Sequence, residues 1–564
     1  MLKRHYLAVI FLIFIFVLIV FNYKDYGIAW DEKIFFNTGK FYAIKIMDYL
    51  RLPHNLTNNG FEPTPHHIKG HGVFSDILII FASLPFKNFN FETLHLLRAI
   101  FSLPIFFLIY WIVSRMFSKV YGLISLVFLL LFPRFYPEIF YNAVDVPTTL
   151  FFTISLAYFI YYSNTKQTIL KSILFGLILA VTINQRLLLF YLPILNFIFL
   201  VLLSLRGLRV LGGRGNLKSQ EIASLHKSSL ATTLINQSTI FLSLIFFLHL
   251  THPYLLTHPV TGLFDILQSA KQYPWNAAVL FDGQQYQAGV IPLPWYYLPK
   301  SMLITIPPLI TLLFFIGNLR FLYASFLAKL LPIRQRPSSI GTWLLLYLIL
   351  IFYIPIILTF IFKPTLYDSW RQFLFLTVPM MVIAVYGLDF IIRISNFKAQ
   401  MSNQVQSSNV KKEYKKSFGF WILKLIWNLK FVIWILIIIN LSLVAKQMVL
   451  LHPYQYLYYN SFVGGLKGAY GKYETDYWGL GFKEAVLWFK QNINDPKKTY
   501  KIYVEGDPLS SSYYFKPNMQ LTTDLVKADY IFTFTRWNFH IRHPGKTIYT
   551  VEREGIPLIF IKKL

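Results

Sequence analysis

The chain has 564 residues, 55% of them hydrophobic and only 14% charged, with a mean hydropathy of +0.50. Soluble domains carry about 25% charged residues, so a globular enzyme with a single anchor is excluded and a protein crossing the membrane many times is indicated. The formal net charge is +28 and there is no cysteine. The basic residues cluster between apolar spans, which fits the positive-inside rule rather than nucleic-acid binding. Without cysteine there can be no disulfide, thiolate catalysis or thiolate-bound metal.

Hydropathy and flanking charge place about eleven helical spans. The first runs from Tyr6 to Phe21 behind Met1-Leu2-Lys3-Arg4. No small-x-small cleavage site follows it, so it reads as an uncleaved span. The next five run Leu97 to Val113, Tyr121 to Phe132, Val146 to Tyr162, Ile173 to Thr182 and Leu187 to Leu205. The last five run Thr239 to Leu255, Met302 to Gly317, Trp343 to Phe362, Phe373 to Ile392 and Phe420 to Val444. Leu78 to Phe86 is too short to span and reads as a re-entrant or interfacial helix.

The basic stretches Arg115 to Lys119, Lys166 to Lys171, Arg206 to Lys227, Arg320 to Arg336 and Arg393 to Lys416 fall on one side, assigned to the cytoplasm. Met401 to Asn409 reads as a flexible linker. The outer face then holds segments 22–96, 133–145, 257–299 and 363–371. The expected organisation is a membrane domain over 1–451 and a small extracytoplasmic α/β domain over 452–564. In that tail, Phe482 to Ile493 has amphipathic helical spacing. Thr499 to Val504, Tyr530 to Thr533 and Pro557 to Ile561 have strand character.

The outer segments carry the chemistry. Asp31 and Glu32 follow Trp30 just past the first span. A carboxylate beside a membrane is partly desolvated, which raises its pKa toward a range useful for taking a proton from an acceptor hydroxyl or amine; the plain alternative is a helix-start pair. Asp145, just before the fourth span, has Arg134, Glu138 and Asn142 as polar companions, with N-capping as its plain alternative. Arg371, in Tyr367-Asp368-Ser369-Trp370-Arg371, and Arg186 can each form a bidentate pair with a phosphate, or simply snorkel. Arg98 is a weaker third candidate. The aromatic and proline run Tyr273-Pro274-Trp275 to Pro299, which includes Tyr297, suits a sugar ring, a polyprenyl chain or an ordinary aromatic belt. His66, His67 and His71 fit no compact metal motif, so no metal is expected there.

Together these residues resemble the GT-C superfamily of polytopic glycosyltransferases, and within it the protein O-mannosyltransferase and aminoarabinose transferase group. The resemblance rests on Asp31-Glu32, on His71 to Asp76 and on Asn142 to Pro147. It continues through Pro294 to Pro299, Tyr367 to Arg371, His452 to Tyr456 and Glu474 to Gly479. It implies a GT-C-like helical fold and inverting transfer from a polyprenyl-phosphate-linked sugar on the extracytoplasmic face, with no cofactor. Asp31 would be the base. Glu32 and Asp145 would shape the site or bind hydroxyls, and Arg371 with Arg186 would neutralise the leaving phosphate. His71, Glu138, Asn142, Tyr297, Tyr367 and Asp368 would contact substrate. Gln372 departs from the pattern, since many relatives place His after the Arg. The expected location is a bacterial inner membrane. The acceptor, whether lipid, glycan or protein, is not legible. A transporter, or a glycan polymerase or ligase using a diphosphate-linked donor, remains the alternative.

Overall fold

The computed structural model describes the chain apart from residues 1–4, 71, 87–88, 213–218, 272–274, 276, 288–289, 331–339 and 408–417. The predicted linker Met401 to Asn409 instead continues the helix Thr377–Ser407, and only its last two residues lie in the last of these gaps. Among the described residues, eight helices are long and apolar enough to cross a membrane: Phe91–Met116, Asp145–Ser163, Leu187–Leu205, Ala231–Thr251, Pro308–Phe326, Gly341–Phe362, Arg371–Ile394 and Phe431–Leu451. The expected first, third and fifth spans are the shorter apolar helices Tyr6–Asn22, Lys119–Leu130 and Ile169–Gln185. Phe74–Ser83 takes the place of the predicted interfacial helix.

Local chemistry sets several helix ends. Asn90 and Thr168 cap Phe91–Met116 and Ile169–Gln185 by accepting a backbone N–H two positions inside each helix. The expected eighth span, Met302 to Gly317, divides into Tyr297–Thr305 and Pro308–Leu330. Ile306 is extended because it precedes Pro307, and the α region is disfavoured before proline. The seventh ends earlier than expected, at Thr251, because His252 precedes Pro253 in the same way.

Asp145–Ser163 and Arg371–Ile394 are the most enclosed spans, whereas Phe431–Leu451 lies at the periphery. Small residues let helices meet closely. A Cβ on Gly387 would sit 2.1 Å from the carbonyl oxygen of Leu313, and one on Gly317 would sit 2.2 Å from that of Ile383. Only glycine permits this crossing of Pro308–Leu330 with Thr377–Ser407. The turn 133–145 is not a solvated loop: its residues are buried from end to end. Irregular backbone at this depth survives because protein encloses it.

Among the described residues, two sheets lie outside the helices. Strands β1 (Ala278–Phe281) and β2 (Gln284–Gln287) form a hairpin. The tail builds a five-stranded sheet from β3 (Tyr500–Val504), β4 (Met519–Thr522), β5 (Tyr530–Phe534), β6 (Lys546–Arg553) and β7 (Ile556–Lys563), in the order β4-β3-β5-β7-β6. β3 is parallel to both neighbours, and β7 is antiparallel to β5 and β6. The amphipathic helix Phe482–Asn492 covers this sheet, with Phe489 edge-on to Tyr530 at 4.9 Å. Strands β4 and β6 add to the three that were expected. The tail docks on the bundle. Trp30 N–H donates to the Trp478 carbonyl at 3.1 Å, and Tyr513 donates to Glu92 at 3.0 Å. The molecule is thus a polytopic helical membrane protein with a small C-terminal α/β domain.

Candidate active site

The N-terminal ends of Asp145–Ser163, Leu187–Leu205 and Arg371–Ile394 converge at the end of the bundle where the tail docks. Within the buried turn, Asn142 accepts the N–H of Val144 at 3.0 Å and of Asp145 at 2.8 Å. Its amide donates to Asp145 at 3.0 Å and also to Glu138. One side chain therefore fixes the backbone turn and two carboxylates. Trp478 donates to the other Glu138 oxygen at 3.1 Å. Burial pushes the Glu138 carboxyl up to about 7.

Asp145 is buried and accepts from Arg186 through one oxygen; its other oxygen lies 3.6 Å from Arg371. Arg371 is the hub. It also lies 3.0 Å from Asp368 and 3.3 Å from Asp31, and its guanidinium stacks 4.4 Å over the Trp478 ring. Asp368 in turn pairs with Arg536, contributed by the tail. Asp368 and Ser369 are both left-handed, at φ 55° and 64°, a conformation that costs L-residues about 1–2 kcal/mol each. The loop is held in it by Tyr297, whose hydroxyl accepts the Ser369 N–H at 2.9 Å, and by Trp370, which donates to Thr305 at 2.7 Å.

These groups border a cavity of about 600 Å³, within the roughly 300–1,000 Å³ of small-molecule sites. Asp31, Arg186, Arg371, Asp368, Tyr367 and His67 line it, as do Trp30, Trp275, Trp478, Trp537, Lys33, Asp507 and Arg536. Tyr367 stacks on Trp275 at 4.6 Å. The Asp31 side chain is 37% exposed, against 1% for Asp145 and 5% for Asp368. It is therefore the acidic member of this ion-pair network with an open face. That face looks into the walled cavity, so desolvation raises its carboxyl above the ordinary aspartate range, with Arg371 opposing the rise.

Five sequence-predicted site residues, Glu32, Glu138, Asn142, Asp145 and Tyr297, do not line this cavity. Glu32 begins the helix Glu32–Tyr49 and points into the bundle. There it meets Arg98 at 2.6 Å, His95 at 3.0 Å and the Ala29 N–H at 2.7 Å. A turn of about 100° per residue separates its direction from that of Asp31. Glu138 and Asn142 lie beneath the floor, in contact with Asp145. Tyr297 borders a separate apolar cavity of about 460 Å³. His71 lies outside the described residues. Arg536 and Trp537 were not anticipated. They follow β5 in a turn where Trp537 and Asn538 are left-handed, and nothing local in the sequence marks them.

A family model described as dolichyl-phosphate-mannose-protein mannosyltransferase matches residues 73–211. That stretch holds Asp145 and Arg186 but not Asp31, Arg371 or Arg536. The resemblance to membrane glycosyltransferases drawn from the sequence stands on this match. Among solved structures, the chain is similar to the Archaeoglobus fulgidus oligosaccharyltransferase with a tethered acceptor peptide, at 11% identity and a TM-score of 0.46 over 94% of this chain and 70% of that one. It is also similar to ArnT from Cupriavidus metallidurans bound to undecaprenyl phosphate, at 11% identity and a TM-score of 0.43 over 99% of this chain and 98% of that one. No curated protein matches the chain.

Proposed function

We propose that the chain is an inverting glycosyltransferase that moves a sugar from a polyprenyl-phosphate donor to an acceptor on the extracytoplasmic face of the membrane. The observation that carries this reading is the Asp31–Arg371 pair at the mouth of the walled cavity, with Arg186 alongside. In the step, the acceptor oxygen or nitrogen bonds to the anomeric carbon on the face opposite the phosphate. The bond from that carbon to the phosphate oxygen breaks, and its electron pair leaves with the phosphate. The acceptor proton passes to Asp31. Arg371 and Arg186 stabilise the charge that gathers on the leaving group, and fixed guanidinium groups do this without reorganising.

The charge balance suits the step. Asp31, Asp145 and Asp368 are offset by Arg186, Arg371 and Arg536. A bound phosphate adds negative charge beside Asp31, which favours its protonated form and so strengthens it as a base. The apolar cavity between Val290 to Leu298 and Phe360 offers space for the isoprenoid chain. It adjoins the site through Tyr297 and Ser369. The basic loops on the opposite side support an extracytoplasmic placement.

The test is incubation of the detergent-solubilised protein with a polyprenyl phosphate carrying a labelled sugar. Release or transfer of label from the donor is expected. Label that stays on the donor in detergent, together with its movement across the bilayer of proteoliposomes, would replace this reading with transport. Turnover confined to a diphosphate-linked donor would replace it with a polymerase or ligase.

A further inference from the structure

Behind the Arg536–Trp537 wall lies a second, smaller pocket of about 150 Å³. Tyr477, Arg536 and Trp537 line both it and the main cavity, so the two are one side chain apart. Two carboxylates sit in it, Glu474 and Asp476, with Tyr470 and Tyr473 among its walls. The Glu474 side chain is only 8% exposed, and its oxygens make no close hydrogen bond, the Asp368 N–H and Arg536 at 3.8 Å being their loose partners. The second oxygen of Asp476 likewise makes no close hydrogen bond and faces the Gly481 N–H. Such groups are costly to bury unless something arrives to pair with them.

The neighbouring cation supplies only part of that pairing. Arg536 gives its guanidinium to Asp368 and to the Tyr477 carbonyl at 2.8 Å, and stands 3.8 Å from Glu474. Burial accordingly raises the Glu474 carboxyl to about 8, so near neutral pH an arriving ammonium takes the place of its proton. Buried carboxyl groups with incompletely satisfied oxygens and electron-rich rings around them make a complementary surface for a compact cation, through both ion pairing and cation–π attraction. A neutral hydroxyl would gain neither.

We propose that this pocket binds a primary ammonium group, and that the group belongs to the acceptor. Ammonium binding stands on the pocket alone. Its assignment to the acceptor rests on the glycosyl-transfer reading, because the pocket opens beside the cavity where transfer would occur.

Titration calorimetry of the full-length protein with glucosamine, N-acetylglucosamine and glucose near neutral pH tests this. The three share a ring and differ in the cation. Glucosamine is expected to bind at least tenfold more tightly than the other two. Glu474→Gln should remove that preference while the thermal unfolding profile stays that of wild type. Ile541 lines the pocket and is 72% exposed, so Ile541→Lys should fold normally, place its own ammonium in the pocket and abolish glucosamine binding. Equal affinity for the three sugars, or an undiminished preference in both variants, overturns the proposal. Glucosamine binding without donor turnover removes the assignment to an acceptor and leaves the ammonium site. Donor turnover without amine preference does the reverse.

Discussion

Nη2 of Arg371 stands 3.3 Å from Oδ2 of Asp31, across 340 residues of chain. The contact is longer than an optimal charge-assisted hydrogen bond of about 2.7–2.9 Å. Asp31 is thus steered by the guanidinium without being locked to it. Asp145 and Asp368, by contrast, are each held by two guanidinium groups. Three aspartates around one arginine therefore divide into two that fix its position and one that faces the cavity.

Asp31→Asn is expected to abolish most transfer while preserving fold and donor binding. Asparagine keeps the shape and can still meet Arg371 through its carbonyl, but it cannot accept the acceptor proton. Loss of a positioned base costs about 10²–10⁴ in rate. Single-turnover transfer measured beside donor binding checks this. A rate within a few-fold of wild type would remove Asp31 from that role.

Arg371→Ala should weaken donor binding more than it weakens the fold. Asp145 keeps Arg186 and Asp368 keeps Arg536 after the truncation, so neither carboxylate is left bare. Losing hydrogen bonds to a charged phosphate costs about 1.5–3 kcal/mol, or roughly 10–100-fold in donor affinity. Arg371→Lys should fall between, because an ammonium cannot reproduce the planar fork. Unchanged apparent affinity in the alanine variant would show that the phosphate rests elsewhere.

Glu32 and Asp31 are adjacent in sequence, yet their fates differ. Glu32 is fully buried against Arg98 and His95. Glu32→Gln is expected to lower stability by about 3–5 kcal/mol, the cost of breaking a buried pair from one side. Transfer per folded molecule should stay close to wild type. Thermal unfolding combined with active-site-normalised rates separates the two effects. A hundredfold rate loss at unchanged stability would return Glu32 to the chemistry.

The helices were legible because long apolar runs announce themselves, and the residues fixed to their ends were legible with them. Asp145, Arg186 and Arg371 each stand within a residue of a span, so the position of the span nearly places them. The direction of Glu32 was not legible, since one step along a helix turns the side chain away from its neighbour's line of sight. Arg536 and Trp537 were invisible for a different reason. They reach the cavity through the register of a sheet and two left-handed residues, and neither leaves a periodic trace. The four-residue strand Met519–Thr522 escaped because its exposed middle is short and half polar.

Glu138 should make stability fall as pH rises. Its carboxyl is held near pH 7 in the folded protein and titrates at an ordinary glutamate value of about 4.5 when unfolded. Between these values the folded state binds the proton and the unfolded state does not. The derivative of unfolding free energy with pH is therefore negative in that window. The stabilisation is complete below about pH 4.5 and lost through about pH 7, amounting to a few kcal/mol at one unit per 1.36 kcal/mol. Glu138→Gln mimics the protonated form and should flatten this part of the profile while keeping the side chain beneath Asp145. Unfolding midpoints of wild type and variant measured from pH 4 to pH 8 check it. Parallel profiles over the whole range would show that Glu138 stays ionised in its buried place between Asn142 and Trp478.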